Sequence, residues 1–357
     1  MGLVLSEFAF IVRANDTDTL SLLFLGDLMQ HQEQIDAAKR DVGYCYDDCF
    51  AHLQKEFKTH DLVVGNLEVT IGGKPYTGYP AFSAPDEFLY AIRRAGVNVL
   101  MTANNHCLDR GRRGLERTIF KLDSLRIPYA GTYRDSVERL NNYPLLVEKK
   151  GFRIVFLNYT YGTNGIKVSK PCLVNYIDRD VIRKDVIKAR FMKPDVIIAC
   201  IHWGVEYESL PRRQEMDLAD WMISIGVNHI IGSHPHVVQP LILKDSEKNR
   251  ADSNLVVYSL GNFISNMSMP RTDGGMVVRM VLKKNVGHTR LSSCAYSLIW
   301  TSRPRLSGMK QFVVYPSAMH EELLSHAERS RMKAFLEHSR QLHREHSKGV
   351  EEYFFQK

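Results

Sequence analysis

Short apolar runs alternate with amphipathic segments along the chain from Leu22 to about residue 233. The runs are brief, rich in β-branched residues and ended by glycine or polar residues, a pattern typical of buried strands. They are LLFLG (22–26), LVVGN (62–66), NVLMTA (98–103), RIVFLNYT (153–160), DVIIACIH (195–202) and HIIGS (229–233). The segments between them repeat apolar residues at helical spacing: DDCFAHLQKEF (47–57), PDEFLYAIRRAG (85–96), GLERTIFKLDSL (114–125) and PRRQEMDLADWMISIG (211–226). This alternation predicts a mostly parallel sheet flanked by helices.

After Gln239 the pattern changes to a succession of strands with no long helix between them. The predicted strands are PLILK, NLVVYSLG, GGMVVRMVLKK, CAYSLIW and KQFVVYP. Their short connections favour antiparallel pairing. A second sheet packed on the first, with helices outside, would absorb these strands without a second domain.

Both ends of the chain differ from the part between them. Residues 1–20 have an apolar half followed by a polar run, which fits either a degenerate export signal or a disordered N-terminus. Residues 319–357 are rich in charges and carry an interrupted apolar stripe, which is typical of an appended amphipathic helix. The main domain is therefore expected over residues 21–318. No run reaches about 18 apolar residues, so the sequence predicts no membrane-spanning helix.

The composition narrows the class of protein and of partner. With 44% apolar and 24% charged residues, the chain of 357 residues has globular proportions, which excludes a disordered or collagen-like protein. The 47 Lys and Arg residues outnumber the 40 Asp and Glu residues, and the net charge of +7 favours anionic partners. Nucleic acid is not expected among them, because no nucleic-acid-binding module is recognisable and the C-terminal segment is charge-neutral.

Residues that can bind metals follow the predicted strands, at the point where each strand ends. The carboxyl ends of strands in an open α/β sheet converge on one crevice, where ligands bind. Carboxylates supply negative charge, asparagine a neutral oxygen and histidine a neutral nitrogen, a mixture that suits Mn, Fe and Zn comparably. The sequence therefore predicts a centre for one or two divalent cations. The candidate ligands at strand ends are Asp27, Glu68, Asn105, His202, His234 and His236.

Six short motifs follow one another along the chain, and the first five contain these residues. They are GDLM (26–29), GNLE (65–68), TANNHCLDRG (102–111), HWGVEY (202–207), GSHPHVVQP (232–240) and YSLGNF (258–263). Together, over residues 20 to 265, they resemble the motifs of the bacterial capsule synthesis CapA family, which is linked to poly-γ-glutamate capsule formation. The resemblance implies an α/β fold, namely the four-layer α/β/β/α sandwich of the calcineurin-like metallophosphoesterases, here with an appended C-terminal helix.

The resemblance also implies a role for each candidate ligand. Asp27 and His236 would bind a first metal, and Glu68 would lie between two metals. The ligands implied for the second metal are Asn105, His202 and His234. Paired cations of this kind polarise an anionic group for hydrolysis.

Catalytic candidates follow one of the metal ligands in the same motif. The resemblance implies that His106 protonates the leaving group. Asp109 and Arg110 come shortly after it and are further candidates. Arg110 either pairs with a phosphate or carboxylate of the substrate or belongs to a solvated basic run.

The chain departs from the metallophosphoesterase pattern at two positions. That pattern begins DxH, but Met29 stands in the place of the histidine. His31 is two residues further on and reaches the first metal only if the chain turns after Asp27, so both possibilities stay open. The bridging residue is normally aspartate, and the longer Glu68 leaves a single-metal centre as an alternative.

Two functions from different classes are consistent with this sequence. The first is a metal-dependent hydrolase that acts on a phosphoester or on an anionic polymer such as poly-γ-glutamate. The alternative is a polymer-binding or assembly component of capsule production with a degenerate metal site. In either case the resemblance implies a protein of the cell envelope or an exported protein, associated with a membrane-bound capsule synthesis complex.

Overall fold

The computed structural model describes residues 18–245, 253–285, 287–308, 310–317, 319 and 321–356. The proposed leader, residues 1–20, lies outside this part of the chain except for its last three residues, which begin the first strand. The described residues form two large β-sheets and a two-stranded sheet, with helices outside the large sheets.

The first sheet has nine strands. They are β1 (Asp18–Leu28), β2 (Leu62–Leu67), β3 (Val99–Met101), β4 (Tyr129–Ala130), β13 (Asn262–Ile264), β14 (Gly274–Asn285), β15 (His288–Ser302), β16 (Val313–Pro316) and β17 (Glu351–Glu352). The order is β16-β15-β14-β1-β2-β3-β4, with β13 beside β1 and β17 beside β15. The strands β1 to β4 are parallel, whereas β14, β15 and β16 extend the sheet by antiparallel pairing.

The second sheet has six strands. They are β6 (Leu145–Lys149), β7 (Phe152–Thr160), β9 (Val196–His202), β10 (His229–Ser233), β11 (Leu241–Asp245) and β12 (Ser253–Val257), in the order β11-β12-β10-β9-β7-β6. The two-stranded sheet pairs β5 (Thr132–Tyr133) with β8 (Leu173–Val174). In the second sheet β7, β9, β10 and β12 run parallel, and β6 and β11 close its two edges by antiparallel pairing.

The two large sheets pack face to face over a shared core. Phe24 of β1 and Val64 of β2 belong to the same buried cluster as Phe156 and Ile198 of the second sheet. Leu23, the neighbour of Phe24, belongs instead to the cluster under the first sheet's helices. Successive residues of a strand point to opposite faces, so a strand covered on both faces is apolar throughout. This explains the uninterrupted apolar runs of the sequence.

Helices cover the outer faces of both sheets. They are α1 (Gln32–Ala38), α2 (Gln54–Lys58), α3 (Asp86–Ala95), α4 (Gly111–Ser124), α5 (Ser136–Asn142), α6 (Arg179–Phe191), α7 (Arg213–Ser224), α8 (Pro304–Ser307) and α9 (His326–His346). Apolar residues of α3 and α4, including Phe88 and Ile119, pack on the first sheet, whereas those of α6 and α7, including Val186 and Met222, pack on the second. The predicted four-layer α/β/β/α sandwich is confirmed.

The structure corrects two details of the predicted elements. The helix expected over residues 47–57 is a 3₁₀ turn, Asp47–Phe50, followed by the short α2. The strands expected to share one parallel sheet are divided, with β1, β2 and β3 in the first sheet and β7, β9 and β10 in the second. The later strands also join both sheets, because β11 and β12 extend the second and β14 to β16 the first.

The predicted C-terminal helix is present as α9. Ser325 caps it, because the Ser325 side chain accepts a hydrogen bond from the Glu328 backbone N–H. Met332 and Phe335 are buried in the core shared by the two sheets. Within the described part of the chain, no helix combines the length and the apolar character that crossing a bilayer requires.

Candidate metal centre

Three buried polar residues stand at the carboxyl ends of β1 and β2. Asp27 lies beside Asn66 in the parallel register of these strands. Asn66 and Glu68 are two residues apart, so the strand directs both side chains to the same face. The Asn66 amide Nδ2 donates to Asp27 Oδ1 at 2.8 Å and to Glu68 Oε2 at 3.3 Å. One side chain therefore orients both carboxylates.

The turn after β3 adds two asparagines to the same edge. Asn104 Nδ2 donates to the Leu67 carbonyl oxygen at 2.8 Å, which fixes the turn against the end of β2. Asn105 Oδ1 lies 2.9 Å from Nε2 of His202, the last residue of β9 in the second sheet. This contact joins the edges of the two sheets.

The turn after β10 brings two more histidines to the first sheet. His234 and His236 flank Pro235 and have φ values of 103° and 58°, which are uncommon for residues other than glycine. The His234 backbone N–H donates to Asp27 Oδ2 at 3.4 Å. His236 Nε2 lies 3.8 Å from Glu68 Oε1. The turn thus places both histidines at the carboxylates of the opposite sheet.

Three groups of histidine and acidic residues could each hold a cation, because their ligand atoms lie within 4.8 Å of one another. The groups are Glu68 with His202 and His234, Asp27 with Glu68 and His236, and Glu206 with His234 and His236. Glu68 is common to the first two groups and lies between them. These two groups, with Asn105 beside His202, coincide with the two ligand sets that the sequence resemblance implied.

Burial sets the protonation of the centre. It raises the pKa of the Glu68 carboxyl well above its ordinary value, and the neighbouring Asp27 carboxylate raises this pKa further. Burial also lowers the pKa of His202 well below its usual range and, with the help of His236, lowers the pKa of His234 to about 3. Neutral imidazoles at physiological pH leave a nitrogen lone pair for a cation.

Two buried polar atoms of the centre show that divalent cations fit it. Glu68 Oε1 and His234 Nδ1 have no hydrogen-bond partner among the described residues. Leaving a buried polar atom unpaired costs about 1–3 kcal/mol, and more when it is charged. A cation bound by Glu68 and His234 would remove this cost. The donor set of imidazoles, carboxylates and one amide suits borderline divalent metals, without selecting one.

A histidine and aspartate pair lies at the edge of the centre. His106 Nδ1 is 2.7 Å from Asp109 Oδ2, and both side chains are buried. The Phe82 backbone N–H donates to the same Asp109 oxygen at 2.8 Å. The His106 ring packs edge-on against Phe82, with 4.6 Å between ring centroids. Asp109 therefore sets the orientation of the His106 ring.

Two of the candidate residues, His31 and Arg110, lie outside both the ligand groups and the pair formed by His106 and Asp109. His31 stands at the N-terminus of α1, where its Nδ1 accepts from the Asn266 backbone N–H at 3.2 Å, and it is in none of the three groups. Its pKa is lowered to about 4, mainly by burial. Arg110 begins α4 and packs over Gly72 and Gly114. No contact between described residues joins Arg110 to the cluster.

Three polar residues beside the candidate ligands were not predicted to be ligands, although the sequence places Asn66 and Asn262 at strand ends on the same rim. Asn66 contacts both carboxylates and also His202 Nδ1, at 3.3 Å. The sequence identifies Asn66 as a polar residue at a strand end, and its position two residues before Glu68 is the signal for its supporting role. Ser233 Oγ lies 3.1 Å from the same nitrogen of His202. Asn262 Oδ1 lies 3.0 Å from His236 Nδ1, which leaves Nε2 of that ring facing Glu68.

The α/β/β/α sandwich and the acidic, amide and imidazole groups at the carboxyl ends of its strands are those that the sequence resemblance implied. Residues 21–267 match the family described as "Bacterial capsule synthesis protein PGA_cap". This match covers more than half of the chain, and the protein therefore belongs to that family of capsule synthesis proteins.

Two named relatives agree with this family. The chain is 28% identical over 285 residues to "Capsule biosynthesis protein CapA" of Bacillus anthracis, in a match that covers 77% of this chain and 66% of the relative. It is 26% identical over 286 residues to "PGA biosynthesis protein CapA" of Bacillus subtilis (strain 168), covering 77% of this chain and 70% of that relative. The chain thus spans slightly under two thirds of the first relative's length.

Two solved structures have a partial likeness to this chain. The calcineurin-like phosphoesterase YfkN from Bacillus subtilis has a TM-score of 0.46 at 16% sequence identity, covering 79% of this chain and 90% of that chain. A 5'-nucleotidase from Candida albicans has a TM-score of 0.42 at 10% identity, covering 90% of this chain and 58% of that chain.

Proposed function

We propose that the protein is a metal-dependent hydrolase of capsule production that cleaves a phosphoester or an anionic polymer such as poly-γ-glutamate. The pairing of His106 with Asp109 beside the candidate metal centre carries this proposal. A centre that only held an anionic chain would need cations but no oriented proton donor. The presence of both favours a reaction in which a bond is broken.

The residues of the two ligand groups would hold the cations. Asp27 and His236 would bind one, and Glu68 would lie between the two. The ligands proposed for the other are Asn105, His202 and His234. Cations at such a centre supply Lewis acidity, which withdraws charge from a phosphoryl or carbonyl oxygen and lets water ionise near neutral pH.

His106 would transfer the proton that the leaving group needs. With Nδ1–H donating to Asp109, the proton on Nε2 is the one available for transfer. Asp109 is itself held by the Phe82 N–H, so the ring keeps one orientation. Asn164 lies 3.5 Å from His106 Nδ1, and its Oδ1 accepts from Asn105 Nδ2 at 3.2 Å. Asn164 thus lies between the proton donor and a proposed metal ligand.

The family supports an anionic substrate and a place at the cell surface. Its relatives are named for capsule and PGA biosynthesis, and the net charge of +7 favours an anionic partner. On the same ground we place the protein at the cell envelope or outside the membrane, in contact with a membrane-bound capsule synthesis complex.

The proposal is tested by metal content and turnover of the purified protein. Elemental analysis without added metal should find a divalent cation, and a chromogenic phosphodiester should be hydrolysed. His236→Ala should lose both metal and turnover, because it removes an imidazole from two ligand groups. A wild-type protein that binds no divalent ion would disprove the proposal.

A second function is favoured by one observation. The Met29 side chain is fully buried in the apolar cluster under the first sheet, so the first metal position lacks the usual histidine. This departure favours a non-catalytic role in binding or assembling the polymer. A strain carrying His106→Ala separates the two functions: full capsule production supports the binding role, and loss of capsule with normal protein levels supports hydrolysis.

A further inference from the structure

Glu206 lies in a turn that is attached to the histidine turn of the centre. The Trp203 backbone N–H donates to the Ser233 carbonyl oxygen at 3.1 Å, and the Tyr207 N–H donates to the Pro235 carbonyl oxygen at 2.8 Å. These two bonds flank Glu206 on both sides. They hold its backbone against the residue that separates the two histidines.

The Glu206 carboxylate is close enough to share a cation with His234 and His236. One of these histidines has an unsatisfied atom, because the buried His234 Nδ1 lacks a partner among the described residues. Burial and then the Glu206 charge raise the pKa of Tyr161 to about 12, and the Tyr161 ring lies 4.4 Å from the His234 ring. The carboxylate therefore faces the centre.

The first metal position is short of a ligand without Glu206. Asp27, Glu68 and His236 supply three donors. Met29 faces the apolar core, and His31 is held at the start of α1 by its contact with the Asn266 N–H. A further donor must come from another segment. Among the acidic residues and histidines in the described part of the chain, Glu206 and His234 are also grouped with His236, and His234 is already proposed for the other cation.

We propose that Glu206 is a ligand of the cation bound by Asp27, Glu68 and His236, in the position that Met29 leaves without a donor. The proposal rests on the metal-dependent function proposed above. A carboxylate in place of an imidazole gives the centre a third negative charge and more oxygen donors. Because oxygen donors suit Mn²⁺ better than Zn²⁺, Glu206 also favours Mn²⁺ at this position.

Titration of the metal-free protein with Mn²⁺ tests this assignment, with free Mn²⁺ followed by electron paramagnetic resonance. Glu206→Gln should weaken the binding of one Mn²⁺ about tenfold or more. Glu208→Gln is the matched control, because Glu208 lies in the same turn and pairs with Arg212 instead. His31→Gln tests the competing ligand, and both of these variants should bind Mn²⁺ like the wild type.

A second variant keeps the test decisive if the glutamine substitution disturbs the fold. Glu206→His restores an imidazole, and it should bind Zn²⁺ in preference to Mn²⁺ more strongly than the wild type does. Wild-type Mn²⁺ binding by Glu206→Gln, or the loss appearing in His31→Gln instead, would overturn the assignment while leaving the proposed function intact. A wild-type protein that binds neither Mn²⁺ nor Zn²⁺ would overturn both.

Discussion

The edges of the two sheets bring different donors to the same centre. The first sheet contributes the carboxylates and amides, represented by Asp27, Glu68 and Asn105, whereas the second contributes the imidazoles of His202 and of the turn after β10. Neither edge has a complete ligand set. The centre therefore forms only when the sheets pack face to face, which makes it a product of the tertiary fold.

The two edges also differ in the side-chain hydrogen bonds that order them. On the first, Asn66 and Asn104 form a network that fixes the carboxylates and the end of β2. On the second, His234 packs against the rings of Tyr161 and His202 but its Nδ1 has no partner among the described residues. The first edge is thus ordered mainly by its own hydrogen bonds, and a cation between the edges would complete Glu68 Oε1 on the first and His234 Nδ1 on the second.

The largest effect is expected from removing His106, the residue of the first edge that is proposed to supply a proton. His106→Asn should lower the turnover of a phosphodiester by about 10²–10⁴-fold, because the proposed acid is removed while the ligand groups stay intact. Elemental analysis should find the metal content unchanged. Arg112→Gln, a change at an exposed residue of the same segment paired with Glu116, serves as control. Turnover retained in His106→Asn would instead support the binding role.

The sequence predicted where the strands end better than which strands pair with each other in a sheet. Asp27, Glu68 and the histidines were named as candidate ligands because polar residues directly after apolar runs stand out in any sequence. The division of the strands between two sheets was not foreseeable, since a strand buried on both faces has the same pattern in either sheet. Glu206 was recognised as a neighbour of His202 that could line the site, but not as a ligand, because its place depends on hydrogen bonds between two distant turns.

An imidazole at the far end of β10 offers a contrast with the histidines of the centre. His229 begins this strand, and its Nδ1 accepts from the Leu255 N–H at 3.1 Å. Burial lowers its pKa from 6.5 to about 4. Because the folded-state pKa is the lower one, its contribution to stability is present above pH 6.5 and is lost as the pH falls toward 4.

The lowered pKa of His229 predicts that acid destabilises the folded protein whether or not metal is bound. Between pH 6.5 and 4 the wild type should lose about 3 kcal/mol of unfolding free energy through His229. His229→Asn keeps an acceptor for the Leu255 N–H but does not titrate. Urea denaturation at the two pH values should therefore show a loss of unfolding free energy about 3 kcal/mol smaller in this variant than in the wild type. Saturating Mn²⁺ should leave this difference unchanged. Parallel losses in both proteins would contradict the prediction.

A pair of substitutions compares the supporting residues of the two edges directly. Asn66 contacts both carboxylates and His202, whereas the Ser233 hydroxyl contacts His202. Asn66→Ala should therefore weaken Mn²⁺ binding by about 10–100-fold, and Ser233→Ala by less than about tenfold. Titration of both metal-free variants measures the difference. Equal effects would show that the first edge is not the more strongly ordered one.

The C-terminal helix reaches the centre through the first sheet. Arg331 of α9 forms an ion pair with Asp273 at 2.8 Å. The neighbouring Thr272 carbonyl oxygen accepts from Asn262 Nδ2 at 3.1 Å, and Asn262 Oδ1 lies 3.0 Å from His236 Nδ1. The helix thus supports a proposed metal ligand through three successive contacts.

The smallest expected effect concerns this connection. Arg331 is partly exposed, and the buried Arg303 also pairs with Asp273, so Arg331→Met should cost about 1 kcal/mol and lower the melting temperature by about 2 °C. Arg329→Met, at an exposed position of the same helix, is the control. Mn²⁺ affinity should change less than in Ser233→Ala, because Arg303 still fixes Asp273. A loss of Mn²⁺ binding as large as that of Asn66→Ala would place the helix among the determinants of the centre.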